Sequence, residues 1–260
     1  MIHAAIGSVG LSTRFSAQHA APALTLFCDF DGPIVDVSDR YYYTYRIGLA
    51  EMQMEAARQG VHLPLTCLKK AQFWQMKQER TPDPEIAMRS GLQADQIPQF
   101  LDRVREIVNR ADLLDRDQLQ PGVRWALALL HSQGVRLVLV TLRQEAQARQ
   151  ILRQYRLDGL FSGVWGTRDA DAAYLNQADQ KAALLEQAMT HAFREGVTPA
   201  WMIGDTEADI LAGQSVEMPT IGLTCGIRSA AYLQKFQPCR ICADLASAAH
   251  YLSSLLAVAS

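Results

Sequence analysis

The stretch Leu24 to Asp36, LTLFCDFDGPIVD, constrains the chain more than any other. It begins as a short apolar run, Leu24-Thr25-Leu26-Phe27-Cys28, of the kind that forms a strand buried on both faces. The run breaks off in Asp29-Phe30-Asp31-Gly32-Pro33. Side chains alternate faces along a strand, so Asp29 and Asp31 project to the same side. Gly32 and Pro33 turn the backbone directly afterwards and leave both carboxylates at the carboxyl end of the strand. In open α/β sheets that edge is where ligands bind. Two like charges a few ångströms apart cannot both stay ionised cheaply without a cation or proton between them. The stretch therefore asks for a metal, although Asp and Gly are also ordinary turn residues, and a plain strand and turn would read the same.

Downstream, Ser38 to Gln59 reads as a helix with Ser38 or Asp39 as its cap and Gly60 as its stop. Helical character continues through Leu65 to Lys77, Pro84 to Ser90 and Asp95 to Arg110, where Ile97, Phe100, Leu101, Val104, Ile107 and Val108 recur at helical spacing. The block holds no convincing strand. From Pro121 the rhythm changes to alternating elements. A helix over Val123 to Gln133 is followed by a buried strand, Val135 to Val140. A helix from Gln144 to Tyr155, a short strand at Gly163 to Gly166 and a helix from Asp179 to Glu195 come next. Strands at Ala200 to Gly204 and Pro219 to Thr224 then alternate with helices at Glu207 to Gln214 and Asp244 to Ala257. This alternation predicts an α/β fold, a doubly wound parallel sheet with helices on both faces. The expected core spans residues 24–37 and 118–258, with an inserted all-α cap over 38–117 and a loose tail, or the product of an upstream start codon, over 1–23.

The charge balance narrows the partners. There are 25 basic and 27 acidic residues, a net charge of −2, so nothing suggests bulk attraction to nucleic acid or to an anionic membrane. No apolar run approaches the length of a membrane span. Five cysteines in a chain of this size fit a reduced, cytoplasmic setting. Cys239 and Cys242 have CxxC spacing, but no second pair or nearby His completes a zinc site, and they read as the start of a late strand. Residues 1–23 lack acidic side chains, but they have no continuous apolar segment and only one Arg, so they read as neither secretory signal nor transit peptide. Among the basic residues only five are Lys, at 69, 70, 77, 181 and 235.

Three further positions carry candidate chemistry. Thr141, with Leu142 and Arg143, closes the second buried strand. A hydroxyl there, before a helix N-terminus, suits a phosphate oxygen, although taken alone a helix cap is the plainer reading. Lys181 falls in the first turn of its helix, where a cation is mildly unfavourable. A solvated surface Lys is the default there, yet it is the only Lys between Lys77 and Lys235. An ammonium point charge beside carboxylates and a phosphate would be a specific use of it. Asp205 and Asp209, four apart at a helix start, lie on one face and repel. They serve either as an N-cap with a solvated partner or as hard oxygen ligands of the type that hold Mg²⁺.

Taken together, Asp29-Phe30-Asp31-Gly32, Thr141, Lys181 and Gly204-Asp205 to Asp209 resemble the four motifs of the haloacid dehalogenase superfamily, in its phosphatase branch with a helical cap after the first motif. Gly226-Ile227-Arg228-Ser229 resembles a late loop of phosphoglycolate-phosphatase-like members. Two departures stand out: Pro33 replaces the usual Thr and removes a backbone N–H, and no Pro follows Lys181. The resemblance implies a Mg²⁺-dependent phosphatase acting on a small phosphorylated metabolite. By it, Asp29 is the nucleophile, Asp31 the acid and base, and Thr141 and Lys181 the phosphoryl-binding pair. The metal would be held by the Asp29 carboxylate, the Asp31 backbone carbonyl and Asp205, with Asp209 direct or one layer out. Asp31 argues against carbon–halogen cleavage. A phosphosugar mutase and a catalytically silent binding module stay open as alternatives. On the substrate side, Arg143 and Lys77 are the expected contacts, with part of Lys70 to Arg80 facing the site mouth. Neither the substrate nor the oligomeric state is readable.

Overall fold

The computed structural model describes residues 24–194 and 196–259, so the expected N-terminal tail lies outside the described residues. In chain order the strands are β1 (Leu24–Cys28), β2 (Val35–Asp36), β3 (Gln118–Leu119), β4 (Val135–Gln144), β5 (Phe161–Thr167), β6 (Ala200–Gly204), β7 (Thr220–Leu223) and β8 (Arg240–Cys242). Six of them form one sheet in the order β5-β4-β1-β6-β7-β8, and every pairing in it is parallel. From β1 the chain moves one way to β4 and β5, then crosses back to β6 on the other side. The reversal puts a topological switch point at the carboxyl end of β1, the place where such sheets bind ligands.

Among the described residues the strands are accompanied by helices α1 (Ser38–Arg58), α2 (Lys70–Gln78), α3 (Asp83–Arg89), α4 (Ile97–Val108), α5 (Ala111–Leu114), α6 (Val123–Ser132), α7 (Glu145–Gln154), α8 (Ala172–Leu175), α9 (Ala178–Ala192), α10 (Glu207–Ser215), α11 (Ala230–Leu233) and α12 (Leu245–Ala259). The strand period decides which of them β1 touches. Leu24, Leu26 and Cys28 join a core with Val123 and Leu127 of α6 and Leu252 of α12. Phe27, on the opposite face, packs with Leu185 and Ala188 of α9 and Ala212 of α10. Both faces are therefore dry, which explains an uninterrupted apolar run where a half-solvated strand would alternate. The one polar residue of the run, Thr25, is buried and exchanges a 2.8 Å hydrogen bond with the Thr198 hydroxyl.

Helices α1 to α5 lie between β2 and β3, which pair antiparallel through Val35 with Leu119 and Asp36 with Gln118. The helical insertion thus begins and ends at one place, on a two-stranded ribbon separate from the six-stranded sheet. It has an apolar cluster of its own, including Tyr45, Leu49, Phe73, Ile86, Phe100 and Val104. Each large side chain buried this way contributes about 1.5–3 kcal/mol, so the insertion has its own reason to stay folded. Among the described residues no helix is long and apolar enough to cross a membrane.

Several elements differ from expectation, each for a local reason. Neither Ser38 nor Asp39 caps α1; Asp36 Oδ1, two residues before Ser38, accepts from Ser38 N at 2.8 Å. Residues 65–69 are not helical, and α2 starts only at Lys70. Their backbone is claimed elsewhere: Thr66 N donates to Ser90 O, Tyr42 Oη donates to Leu68 O, and Leu68 N donates to Tyr45 Oη, all at 2.9 Å. The strand expected to close with Thr141, Leu142 and Arg143 runs one residue further, as β4 to Gln144, which pairs with Thr167 after an irregularity in register. Cys239 and Cys242 are free thiols, Cys239 immediately before β8 and Cys242 its last residue.

Candidate active site

Asp29 N donates to Ile203 O at 2.9 Å, adding one rung to the β1–β6 ladder and fixing Asp29 where the two strands end. Asp205 follows β6 directly, and Asp209 lies in the first turn of α10. Lys181 reaches in from α9, its Nζ 2.7 Å from Asp29 Oδ1 and 2.7 Å from Asp209 Oδ1. These four groups, distant in sequence and gathered by the topological switch, are all buried. Asp29, Asp205 and Asp209 each offer a carboxylate oxygen, and the three atoms lie within 4.8 Å of one another. Asp209 Oδ2 accepts from Thr206 N and Thr206 Oγ1, at 3.0 and 2.8 Å. The residue at the N-cap of α10 is therefore Thr206, and Asp209 is no solvated partner.

Asp205 Oδ2 accepts from Ile227 N at 2.6 Å, whereas its Oδ1 is buried without a hydrogen-bond partner. The carboxyl is tightly cradled. A Cβ added at Gly32, where φ is +95°, or at Gly226 would overlap it. Three carboxylates face one ammonium, an excess of two negative charges. Burial, and then Asp209, raises the Asp29 pKa to about 7 against the pull of Lys181. Burial, followed by Asp29 and Asp209, holds Asp205 well above the carboxylate range. Burial also opposes charge on Lys181, but Asp209 and Asp29 outweigh it and raise its pKa. Hard oxygen donors, an orphaned buried oxygen and an excess of two charges fit a divalent cation.

Thr141 is 1% exposed and its Oγ1 accepts from Arg143 N at 3.1 Å. Helix α7 begins at Glu145 with Gln144 before it, so Thr141 is not its cap. One cavity is lined by Asp29, Asp31, Thr141, Lys181 and Asp205 together. Asp31 departs from the acidic cluster, since its carboxylate goes to two arginines. Arg40 Nη2 donates to Asp31 Oδ2 at 2.8 Å, and Arg143 Nε lies 3.0 Å from Asp31 Oδ1. Both arginines also meet Asp117.

Comparison with known proteins matches this arrangement to a family. The model of the haloacid dehalogenase-like hydrolases matches residues 26–223. The chain belongs to that family. It is 33% identical over 138 residues to a probable phosphatase, IndB, of Dickeya dadantii, across 52% of this chain and 57% of that protein. It is 28% identical over 127 residues to a phosphoglycolate phosphatase of Pseudomonas putida, across 48% of this chain and 44% of that one. These alignments thus span about half the length of the curated relatives. The fold of a haloacid dehalogenase-like family hydrolase from Streptococcus pneumoniae superposes with a TM-score of 0.62 at 22% identity, covering 88% of this chain and 97% of that one.

In this haloacid dehalogenase-like hydrolase the helical insertion contributes side chains to the cavity. Lys77 and Arg80 line it, as do Tyr41 and Asp83, while Lys70 pairs with Asp39 instead. Neither expected substrate contact is free. Lys77 Nζ sits 2.7 Å from Asp83 Oδ1, and Tyr174 Oη donates to Asp83 Oδ2 at 2.6 Å. Arg143 spends Nε and Nη2 on Asp31 and Asp117, and only its buried Nη1 is without a partner. From the sheet side Arg228 binds Glu207 and donates to Lys77 O at 3.2 Å, and Arg80 binds the same Glu207. Sequence reasoning missed Arg40, Asp117 and Tyr174 altogether; their partners lie 9 to 91 residues away and leave no periodic signal.

The raised carboxylates give a pH-dependent result. The folded metal-free protein holds these protons more tightly than the unfolded chain, so its stability falls as pH rises from about 4 towards 7. A divalent cation removes that penalty and displaces the protons. Added Mg²⁺ should therefore raise the melting temperature more at about pH 8 than at about pH 5. Equal shifts at the two values would show that the cluster does not bind the ion.

Proposed function

We propose that this protein is a Mg²⁺-dependent phosphatase that hydrolyses a small phosphate monoester through a phosphorylated Asp29. The observation that carries this reading is the Asp29 carboxylate, paired at 2.7 Å with a buried ammonium and lying beside two further carboxylates at a switch point. The names of the curated relatives support it, since they include phosphatases and a pyrophosphatase.

An Asp29 oxygen attacks phosphorus as the bond to the leaving alcohol breaks, giving a mixed anhydride. Asp31 gives its proton to the departing oxygen, then takes one from the water that attacks the anhydride phosphorus. Inorganic phosphate leaves and the Asp29 carboxylate is restored. Lys181 and Thr141 hold the phosphoryl oxygens, whose charge is greatest while the group is in transit. Asp29, Asp205 and the Asp31 carbonyl would hold Mg²⁺, with Asp209 direct or one layer out, and the ion would screen carboxylate from phosphate. Arg143 Nη1 faces the substrate from the sheet, and Lys77 and Arg80 face it from residues 38–117, read as a cap that excludes water when closed. The free thiols fit a cytoplasmic enzyme acting on a phosphorylated metabolite.

The test is release of inorganic phosphate from a panel of small phosphomonoesters, with Mg²⁺ and with a chelator. Metal-dependent release from at least one of them is expected. No release from any member, from folded protein, would sink the proposal.

A further inference from the structure

Around Asp31 four charged side chains close a ring. Arg40 Nε donates to Asp117 Oδ1 at 3.0 Å and Nη2 to Asp31 Oδ2 at 2.8 Å. Arg143 Nη2 donates to Asp117 Oδ2, and its Nε lies 3.0 Å from Asp31 Oδ1. Each of the four carboxylate oxygens thus meets a different guanidinium nitrogen, and two positive charges match two negative ones. Arg40 and Arg143 are 2% exposed and the Asp117 side chain 0%, whereas the Asp31 side chain, at 18%, opens on the cavity. A buried ionic ring is poor evidence for stability, because apolar side chains of like volume commonly fold as well. Orientation is another matter. The planar guanidinium holds its nitrogens in a rigid fork. One contact per oxygen also leaves each Asp31 oxygen a second lone pair for a proton.

The ring is built across the seam between insertion and sheet. Arg40 lies in the first turn of α1, Asp117 immediately precedes β3, and Arg143 is near the end of β4. It continues with side chains the backbone pairing of Val35 with Leu119 and Asp36 with Gln118.

We infer that Arg40 and Asp117 are positioning residues, Arg40 acting directly on Asp31 and Asp117 through both arginines, so that with Arg143 they hold the Asp31 carboxyl with a free lone pair facing the leaving oxygen of the substrate. The inference rests on the acid–base role assigned above to Asp31. It predicts a dependence on the leaving group. An alkyl alkoxide needs a proton as its bond to phosphorus breaks, whereas 4-nitrophenolate departs almost unaided.

Arg40→Met should lower kcat for an alkyl phosphomonoester by roughly 10²-fold with little change in KM, the general-acid contribution. For 4-nitrophenyl phosphate the loss should stay below about tenfold. Arg40→Lys, which keeps the charge without the fork, should recover only part of the loss. If Arg40→Met does not fold, the charge-balanced pair Arg40→Met with Asp117→Asn carries the same test. Equal losses on both substrates in a folded variant, or no loss on either, would overturn the inference. Asp31→Asn is the reference and should discriminate the substrates at least as strongly. If it does not, the acid–base role falls first and the ring's role with it; if it does and Arg40→Met does not, only the ring's role falls.

Discussion

Asp29→Asn is expected to lose turnover by at least about 10⁴-fold, the scale seen when a catalytic nucleophile is removed, while folding as well as the parent or better. The two halves have one cause. The amide fills the same volume at the end of β1 but cannot form the mixed anhydride, so the covalent route closes. It also carries no charge to bury. Asp29 titrates near 7 in the fold because burial and Asp209 oppose its ionisation more than Lys181 favours it. A raised acid pKa means that the stability contributed by the protonated Asp29 begins to be lost above the unfolded value of about 4 and is gone above about 7. The amide variant escapes that penalty, and Lys181 still keeps Asp209 as its partner. In metal-free buffer near pH 8 the variant should melt at or above the parent temperature, and the difference should shrink towards about pH 5. Stability withheld for the sake of a site is the usual trade. Phosphate release and thermal melts on the same samples check both halves, and substantial Mg²⁺-dependent turnover by Asp29→Asn would rule out a nucleophilic Asp29.

The same physics explains what could be read in the sequence. Strand β1 was legible because both its faces are dry, which writes an unbroken apolar run ending in two acids. Asp205 and Asp209 were legible because a strand end and a helix start put them at a sheet edge, and Lys181 because the chain otherwise prefers Arg. Each depends on local geometry that spacing encodes. The arginine ring does not. Arg40 and Asp117 are 77 residues apart and meet only because β2 and β3 close the insertion at one point. The segment before α2 fails for the converse reason. Its composition favours a helix, but the Tyr42 and Tyr45 hydroxyls take up its backbone groups, and tertiary bonds override a weak propensity. Lys77 and Arg143 were expected as substrate contacts, and the carboxylates they also meet were not legible, because sequence shows a basic residue but not its distant partner.

Lys181→Met should be the most destabilising single change in the site, and the damage should be partly reversible by metal. Lys181 is 1% exposed and supplies the ammonium between Asp29 and Asp209. Its folded pKa lies above the ordinary lysine value. The stability it supplies is therefore fully present below about pH 10, the unfolded value, and fades only above that. Without it, Asp29, Asp205 and Asp209 share a buried pocket without the ammonium that compensates them. Breaking a buried ion pair from one side costs about 3–5 kcal/mol, which in a chain of this size lowers the melting temperature by roughly 6–20 °C. The loss should be largest near pH 8 and smaller near pH 5, where protons replace the missing charge. Lys181→Arg should not rescue it, since a planar fork cannot take the place of a compact donor 2.7 Å from two oxygens. Added Mg²⁺ should restore part of the melting temperature but not turnover, because the phosphoryl oxygens would still lack their cation. Exposed Lys235 is the control, and Lys235→Met should stay within about 0.5 kcal/mol of the parent. A metal-free Lys181→Met protein as stable as the parent near pH 8 would mean that the three carboxylates do not hold charge together, and a shared divalent ion would lose its physical basis.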